Sequence, residues 1–428
     1  MNDCGKSMTV EITSGNHLYK VEIPQKAEIE ILKPRGMKVL KRFLSELDEA
    51  FQCPGGGLGL KMLAQQIAPK RVALVVPDDV LPEYLEIILP VFLDQIVSSS
   101  PDLVPARITI VIRKGKRYLA GDEKFKEILR REVVRGFRVI SHYPALSRLV
   151  DFGMTKRGTP VLINADLAEA DLKLIIGQLY PHQLVGFTGA ASAIASGCVG
   201  ADTLAAMNRI MLEDVSKLGL LTHHPLREDL VEIFSMAGIH MALSLLLNAE
   251  KQPVRILAGD PGDVLRKGAR ICTECFGVSV TSRFDIVVAA CGDASEANFS
   301  HHLRKTLLTV SQVVKEGGKV LIFAGSNQEV GNDIYFNYVC QSMCPETLVN
   351  AFRESGRLLA TEEPHLLEQV LIDKEMDLAV GFDQEIAKKC QFRAADATAV
   401  VGEWVEQFQG TPRIAVIPEG TEMCYFNG

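Results

Sequence analysis

Between Arg71 and Ile176 short apolar runs alternate with segments of helical period, and that alternation constrains the fold more than any other feature of the chain. Val72 to Val76, Ile108 to Ile112, Arg138 to Ser141, Pro160 to Asn164 and Asp171 to Ile176 read as strands. Pro82 to Val97 and Asp122 to Val134 read as helices between them. Strands that alternate with helices imply a mostly parallel sheet covered on both faces. In such sheets ligands sit beyond the carboxyl ends of the strands. That rule groups three stretches: Asp78 with Asp79, the cationic run Lys114 to Arg117, and the loop from Tyr180 to Gly189.

The last of these loops is the richest in chemistry. It carries one histidine, His182, and then Gly186, Gly189, Gly197 and Gly200 among small residues. Glycine adds no bulk and tolerates positive φ, so the backbone there can approach a ligand closely. After Gly200 the pattern turns helical, with Asp202 or Thr203 placed to cap a helix through Asn208. A strand, a glycine-rich loop and a helix N-terminus together present backbone N–H groups to an anion. The alternative is a tightly packed turn between two core elements.

Upstream, Met8 to Thr13 and Leu18 to Ile23 alternate around Ser14-Gly15-Asn16 and read as a β-hairpin. Met37 to Phe51 and Leu58 to Ile67 read as helices separated by Pro54-Gly55-Gly56-Gly57. Downstream, Pro225 to Met236 and Gly262 to Cys275 read as helices, and Ile239 to Leu247 and Val254 to Leu257 as strands. The alternation restarts at Ile286 to Ala290 and continues to Arg413 to Ile417. This predicts two α/β domains with mostly parallel sheets, residues 1–277 and 278–428.

The chain has 428 residues with a formal net charge of −7 and no basic stripe, so its charge does not point to nucleic acid. No apolar run reaches the roughly 18–20 residues of a membrane span. The first residues, Met1 to Met8, are polar, and the expected location is the cytoplasm. Ten cysteines fit reduced core residues in that compartment. Cys272 with Cys275 and Cys340 with Cys344 have spacings open to a four-thiolate metal site, and His223-His224 to a ligand pair.

The order of these pieces resembles the nickel-pincer lactate racemase family over nearly the whole chain. The residues that carry the resemblance are His182, Gly186, Phe187, Thr188, Gly189, Gly197 and Thr203, with Lys315 to Gly325 and Ile414 to Gly420. The resemblance implies a site in the interdomain cleft and a 2-hydroxy acid racemase or epimerase. It implies a nickel-pincer nucleotide as cofactor and hydride transfer to it, with a histidine removing the hydroxyl proton. It makes a small anion the substrate, and a second copy or an intact homologue a possible partner. By that resemblance His182, Lys305 and Arg117 are the candidate catalytic residues. Asp78, Gly186, Thr188, Gly189, Ser192 and Asn208 fall at the cofactor.

Several positions depart from the family pattern. Ser192 stands where the family has its tether lysine, and Asn208 where it has a nickel-ligand histidine. Lys116 and Arg117 follow Gly115 in place of the second catalytic histidine. Leu81 replaces the arginine that grips the substrate carboxylate, and His302 replaces a glutamine. Arg117 stays protonated, so it suits an anion rather than a proton transfer. Two alternatives follow: a metal-free enzyme, and a non-catalytic anion-binding or accessory protein.

Overall fold

A computed structural model describes residues 7–14, 17–78, 80–113, 123–182, 185–213, 225–291, 299–323, 375–379, 393–394, 396–418, 420 and 424–427. The chain divides into two compact units, one of Gly36–Cys275 and one that joins Met1–Arg35 to Phe276–Gly428.

The chain opens with the expected hairpin, β1 (Ser7–Ser14) and β2 (His17–Pro24), followed by β3 (Glu28–Ile31). A single cut near residue 277 would leave these strands with the residues that follow them. They pack instead in the C-terminal unit. Val10, Ile12, Val21 and Ile23 lie in one core with Val288, Val416 and Trp404. Lys26 Nζ donates to the carbonyl of Phe408 at 2.8 Å. Alternation shows that a hairpin has an apolar face, but not which sheet covers it.

The Gly36–Cys275 unit starts with α1 (Phe43–Gln52) and α2 (Leu60–Ile67). It continues as β4 (Val72–Pro77), α3 (Pro82–Ser99), β5 (Ile108–Arg113), α4 (Glu123–Val134) and β6 (Arg138–His142). Then come β7 (Leu149–Met154), β8 (Pro160–Asn164), α5 (Ala165–Ala168) and β9 (Leu172–Leu179). Two short strands, β10 (Pro181–His182) and β11 (Gly186–Phe187), precede α6 (Ala190–Gly197) and α7 (Ala201–Glu213). The unit closes with α8 (Pro225–Ala237), β12 (Met241–Leu247), β13 (Pro253–Gly259) and α9 (Pro261–Phe276).

Its sheet runs β13-β12-β9-β4-β5-β6, parallel throughout except for the antiparallel edge pair β12–β13. All six residues of β4 are buried, as a strand covered on both faces requires. Leu85, Ile88, Leu89, Phe92, Leu93 and Ile96 repeat at helical spacing, and α3 lays that face on the sheet core. Each such side chain, fully buried, contributes about 1.5–3 kcal/mol. The strands β9, β4 and β5 are direct neighbours, so the three stretches grouped from sequence follow three adjacent strands.

The second unit adds β14 (Gly277–Val280), β15 (Phe284–Ala290), α10 (Phe299–Val313) and β16 (Val314–Phe323). After these come β17 (Glu375–Ala379), β18 (Arg393–Ala394), α11 (Ala397–Gln407), β19 (Arg413–Ile417) and β20 (Cys424–Asn427). Its parallel sheet runs β18-β17-β16-β15-β19-β3. The strand that completes its edge is β3, which pairs with β19 from Glu28 opposite Arg413 to Ile31 opposite Val416. Among the described residues no helix is long and apolar enough to cross a membrane.

Candidate functional site

The apolar run Leu172 to Leu179 makes β9 a buried strand and delivers the chain to the carboxyl end of the sheet. There the backbone doubles back as the β10–β11 pair, with His182 opposite Gly186. Gly186 has φ +77°, a left-handed conformation that favours glycine. Thr188 staples this turn to the strand. Its Oγ1 accepts from the Tyr180 N–H at 2.9 Å and donates to the Gln178 carbonyl at 3.0 Å. Gly189 has φ +145°, which side-chain-bearing residues rarely adopt, and opens α6.

Between β11 and α7 the sequence reads as a continuous glycine-rich loop, but residues Ala190–Gly197 form a helix. Alanine and serine dominate it, so it shows neither a long apolar stripe nor a charged face. Ser192 Oγ accepts from the Gly189 N–H at 3.1 Å and donates to the Gly189 carbonyl at 2.9 Å. The next helix starts at Ala201, so Asp202 and Thr203 lie inside its first turn rather than capping it. Thr203 is fully buried and its Oγ1 accepts from the Leu162 N–H at 3.2 Å, tying α7 to β8.

A cavity of about 90 Å³ opens at this end of the sheet. Pro77 at the end of β4, Arg113 at the end of β5, Gln178 of β9, His182 and Thr188 of the turn that follows, and Ser192 of α6 all line it. His182 is half-buried. Asp78 is buried, and its N–H donates to the Arg113 carbonyl at 3.2 Å, which joins the ends of β4 and β5. Asn208 is half-buried on α7. Lys305 is buried on α10, in the other unit. Arg117, Asp79, His223, His224, Cys340 and Cys344 lie outside the described residues.

At the end of β6, opposite Arg113 in the sheet, buried His142 ties that strand to the end of β8 and to the segment between α6 and α7. His142 Nε2 lies 2.9 Å from the Val199 carbonyl and Nδ1 lies 3.0 Å from Asn164 Nδ2. Asn164 Oδ1 accepts from the Leu167 N–H, so its amide N–H faces the ring. The ring therefore carries its proton on Nε2 and accepts at Nδ1. Burial pushes the His142 pKa below its ordinary value, and the bond to Val199 raises it by less. On the far side of Thr188, Arg227 Nη1 donates to the Val185 carbonyl, and burial lowers its pKa.

The residues described here do not fit a nickel pincer tethered by a lysine and ligated by imidazole. Ser192 offers a hydroxyl already bonded to Gly189, and Asn208 offers an amide, a poor nickel ligand beside imidazole. Cys198 is fully buried, and its thiol is pushed up to about 12 by burial although Arg113 pulls it down, so it is no ready thiolate ligand. Cys272 and Cys275 are buried on α9. Among the described residues no three His, Cys, Asp or Glu side chains cluster as a metal site.

His182 and the glycines stand out in a small-residue loop, and the family resemblance adds Ser192. Neither signal singles out Arg113 or His142. In sequence Arg113 is one more cation before Lys114 to Arg117, and His142 only follows the strand Arg138 to Ser141.

Residues 14–219 match the family model for the lactate racemase N-terminal domain. The lactate racemase of Lactiplantibacillus plantarum is 21% identical over 389 residues, covering 87% of this chain and 89% of that protein. The lactate racemase of Thermoanaerobacterium thermosaccharolyticum is 22% identical over 376 residues, covering 86% of this chain and 87% of the relative. The solved lactate racemase apoprotein from Thermoanaerobacterium thermosaccharolyticum shares the fold with a TM-score of 0.84 at 21% identity, over 98% of this chain and 100% of that one. A Thermotoga maritima protein superposes with a TM-score of 0.63 at 14% identity, over 86% of this chain and 96% of that one. By these matches residues 14–219 are a lactate racemase N-terminal domain, and the chain as a whole has the fold of the solved lactate racemase apoprotein.

Proposed function

We propose that this protein is a divergent racemase or epimerase of small 2-hydroxy acids. The observation that carries the reading is the cavity at the carboxyl ends of β4, β5 and β9, with His182 in its lining. A base near the substrate hydroxyl needs a pKa not far from the operating pH, and imidazole supplies it. The β10–β11 pair and Thr188 hold that imidazole on a fixed turn. In this reading the N-terminus of α6 favours negative charge beside Ser192.

Inversion at C2 by hydride transfer also needs a hydride acceptor, which the family resemblance assigns to a nickel-pincer nucleotide. Ser192 and Asn208 do not fit its tethered, imidazole-ligated form. That mismatch favours a second reading, in which the same cavity serves a metal-free enzyme or an anion-binding partner of an intact homologue.

Protein purified from its native host separates the two readings. Nickel near one per chain, a nucleotide-sized mass released on denaturation and interconversion of hydroxy-acid enantiomers on a chiral column support the first. Loss of the base in His182→Ala then lowers turnover by about 10²–10⁴-fold. No nickel, no added mass and no racemisation, in a host that makes the cofactor, overturn it. Biological function retained in His182→Ala points to the accessory role.

A further inference from the structure

We infer that Arg113 is the residue that binds the substrate carboxylate in the cavity beside His182. This inference rests on the hydroxy-acid reading above and adds to it the side chain that grips the acid. Arg113 is the last residue of β5, so it leaves the sheet at the carboxyl end, next to the loops that follow β4 and β9. It lines the same cavity as His182, Thr188 and Ser192, and no Asp or Glu is among the described residues of that lining. Among the described residues of that lining, Arg113 carries the one permanent positive charge.

The side chain is seated rather than draped. A Cβ built on Gly197 would fall 1.8 Å from Arg113 Cγ, 2.1 Å from Cδ and 2.9 Å from Nε. The last turn of α6 thus leaves room for the arginine stem only because residue 197 has no side chain. A guanidinium held this way gives up little rotamer freedom when it binds. The neighbouring Cys198 thiol is held protonated by burial, so it does not neutralise the guanidinium at neutral pH. A guanidinium has five N–H donors, so a contact within the protein leaves others for a ligand. A carboxylate accepts two of them side by side. A cavity of about 90 Å³ suits a small organic anion or a few waters. Arg113 binding the carboxylate and His182 facing the hydroxyl would give a 2-hydroxy acid a defined orientation.

The test is equilibrium binding, by calorimetry, of sodium L-lactate and of its neutral analogue L-lactamide to the full chain. Arg113→Met keeps the stem over Gly197 and removes the charge, and Arg113→Lys keeps the charge and loses the fork. The expected result is saturable lactate binding by the wild type and weaker lactamide binding. Arg113→Met should weaken lactate by about ten- to a hundred-fold, with Arg113→Lys in between. Circular dichroism of each variant verifies that it is folded. No saturable lactate binding by the wild type, equal affinity for lactate and lactamide, or equal affinity in folded Arg113→Met overturns the inference. Racemisation is measured separately. Arg113-dependent lactate binding without any racemisation leaves the inference standing and refutes the racemase reading instead.

Discussion

Replacing Gly197 by alanine tests how tightly the site is built. The new Cβ would lie 1.8 Å from Arg113 Cγ and 2.1 Å from Cδ. Carbon atoms rest at about 3.5–4.0 Å, so stem and helix must part by roughly 1.7 Å or more. Cγ and Cδ lie in the middle of the side chain, and moving them means leaving the rotamer or shifting the end of α6. Overpacking of this kind costs about 1–3 kcal/mol. Alanine at a helical position otherwise favours the fold over glycine by up to about 1 kcal/mol. Gly197→Ala should therefore destabilise the wild type or leave it little changed, and should stabilise Arg113→Ala, where the stem is gone. The coupling between the two sites should be about 1–3 kcal/mol. Urea denaturation of the four members of the cycle, followed by far-ultraviolet circular dichroism, measures it. Trp404, the chain's only tryptophan, sits in the other unit, and its fluorescence reports on that unit separately. A coupling below about 0.5 kcal/mol would mean that the arginine stem does not pack on Gly197, and the seated-side-chain argument would fail with it.

Two further outcomes follow from the buried groups. Burial holds the folded-state pKa of His142 below that of the unfolded chain, near 6.5. The neutral ring's contribution to stability is then fully present above about pH 6.5 and is lost as pH falls toward the lower folded value. The urea midpoint should drop between about pH 7.5 and pH 5, and His142→Gln should remove part of that drop; an unchanged pH dependence in the variant would contradict the assignment. Cys198 and Cys291, both buried with thiols pushed up to about 12, should resist iodoacetamide at neutral pH until the chain unfolds, whereas exposed Cys53 should react at once. Peptide mapping after brief alkylation checks this, and early labelling of Cys198 would show that the end of α6 opens readily.

Much of the architecture was legible because burial on both faces writes a strand as a continuous apolar run. Strands β4, β5 and β19 read directly from Val72 to Val76, Ile108 to Ile112 and Arg413 to Ile417. Where burial is partial the signal fades. Strand β7 mixes exposed and half-buried residues around Gly153, so its sequence carries no strand signal. Helix α1 begins at Phe43 rather than at Met37, because the apolar residues before it reach the core from extended chain. Helix α6 hides behind its glycines and alanines. The site divided in the same way: residues with distinctive side chains could be named from sequence, while Arg113 gains its meaning only from the glycine packed against it across the sheet end. The packing of residues 7–31 with the C-terminal strands was not legible either, since a strand's partner is a property of the assembled sheet.

That packing sets the order in which the molecule can be made. Glu28 of β3 pairs with Arg413 of β19, 385 positions later. A ribosome adding about 5–20 residues per second needs roughly 20–80 s to bridge that interval. Throughout it, the apolar face of the β1–β2 hairpin and the edge of β3 wait without their sheet, while the whole Gly36–Cys275 unit emerges between them. An unpaired strand edge is a template for other chains, so the nascent N-terminus is where this protein most needs a chaperone. Amino-terminal truncation should accordingly harm the unit of the molecule completed last.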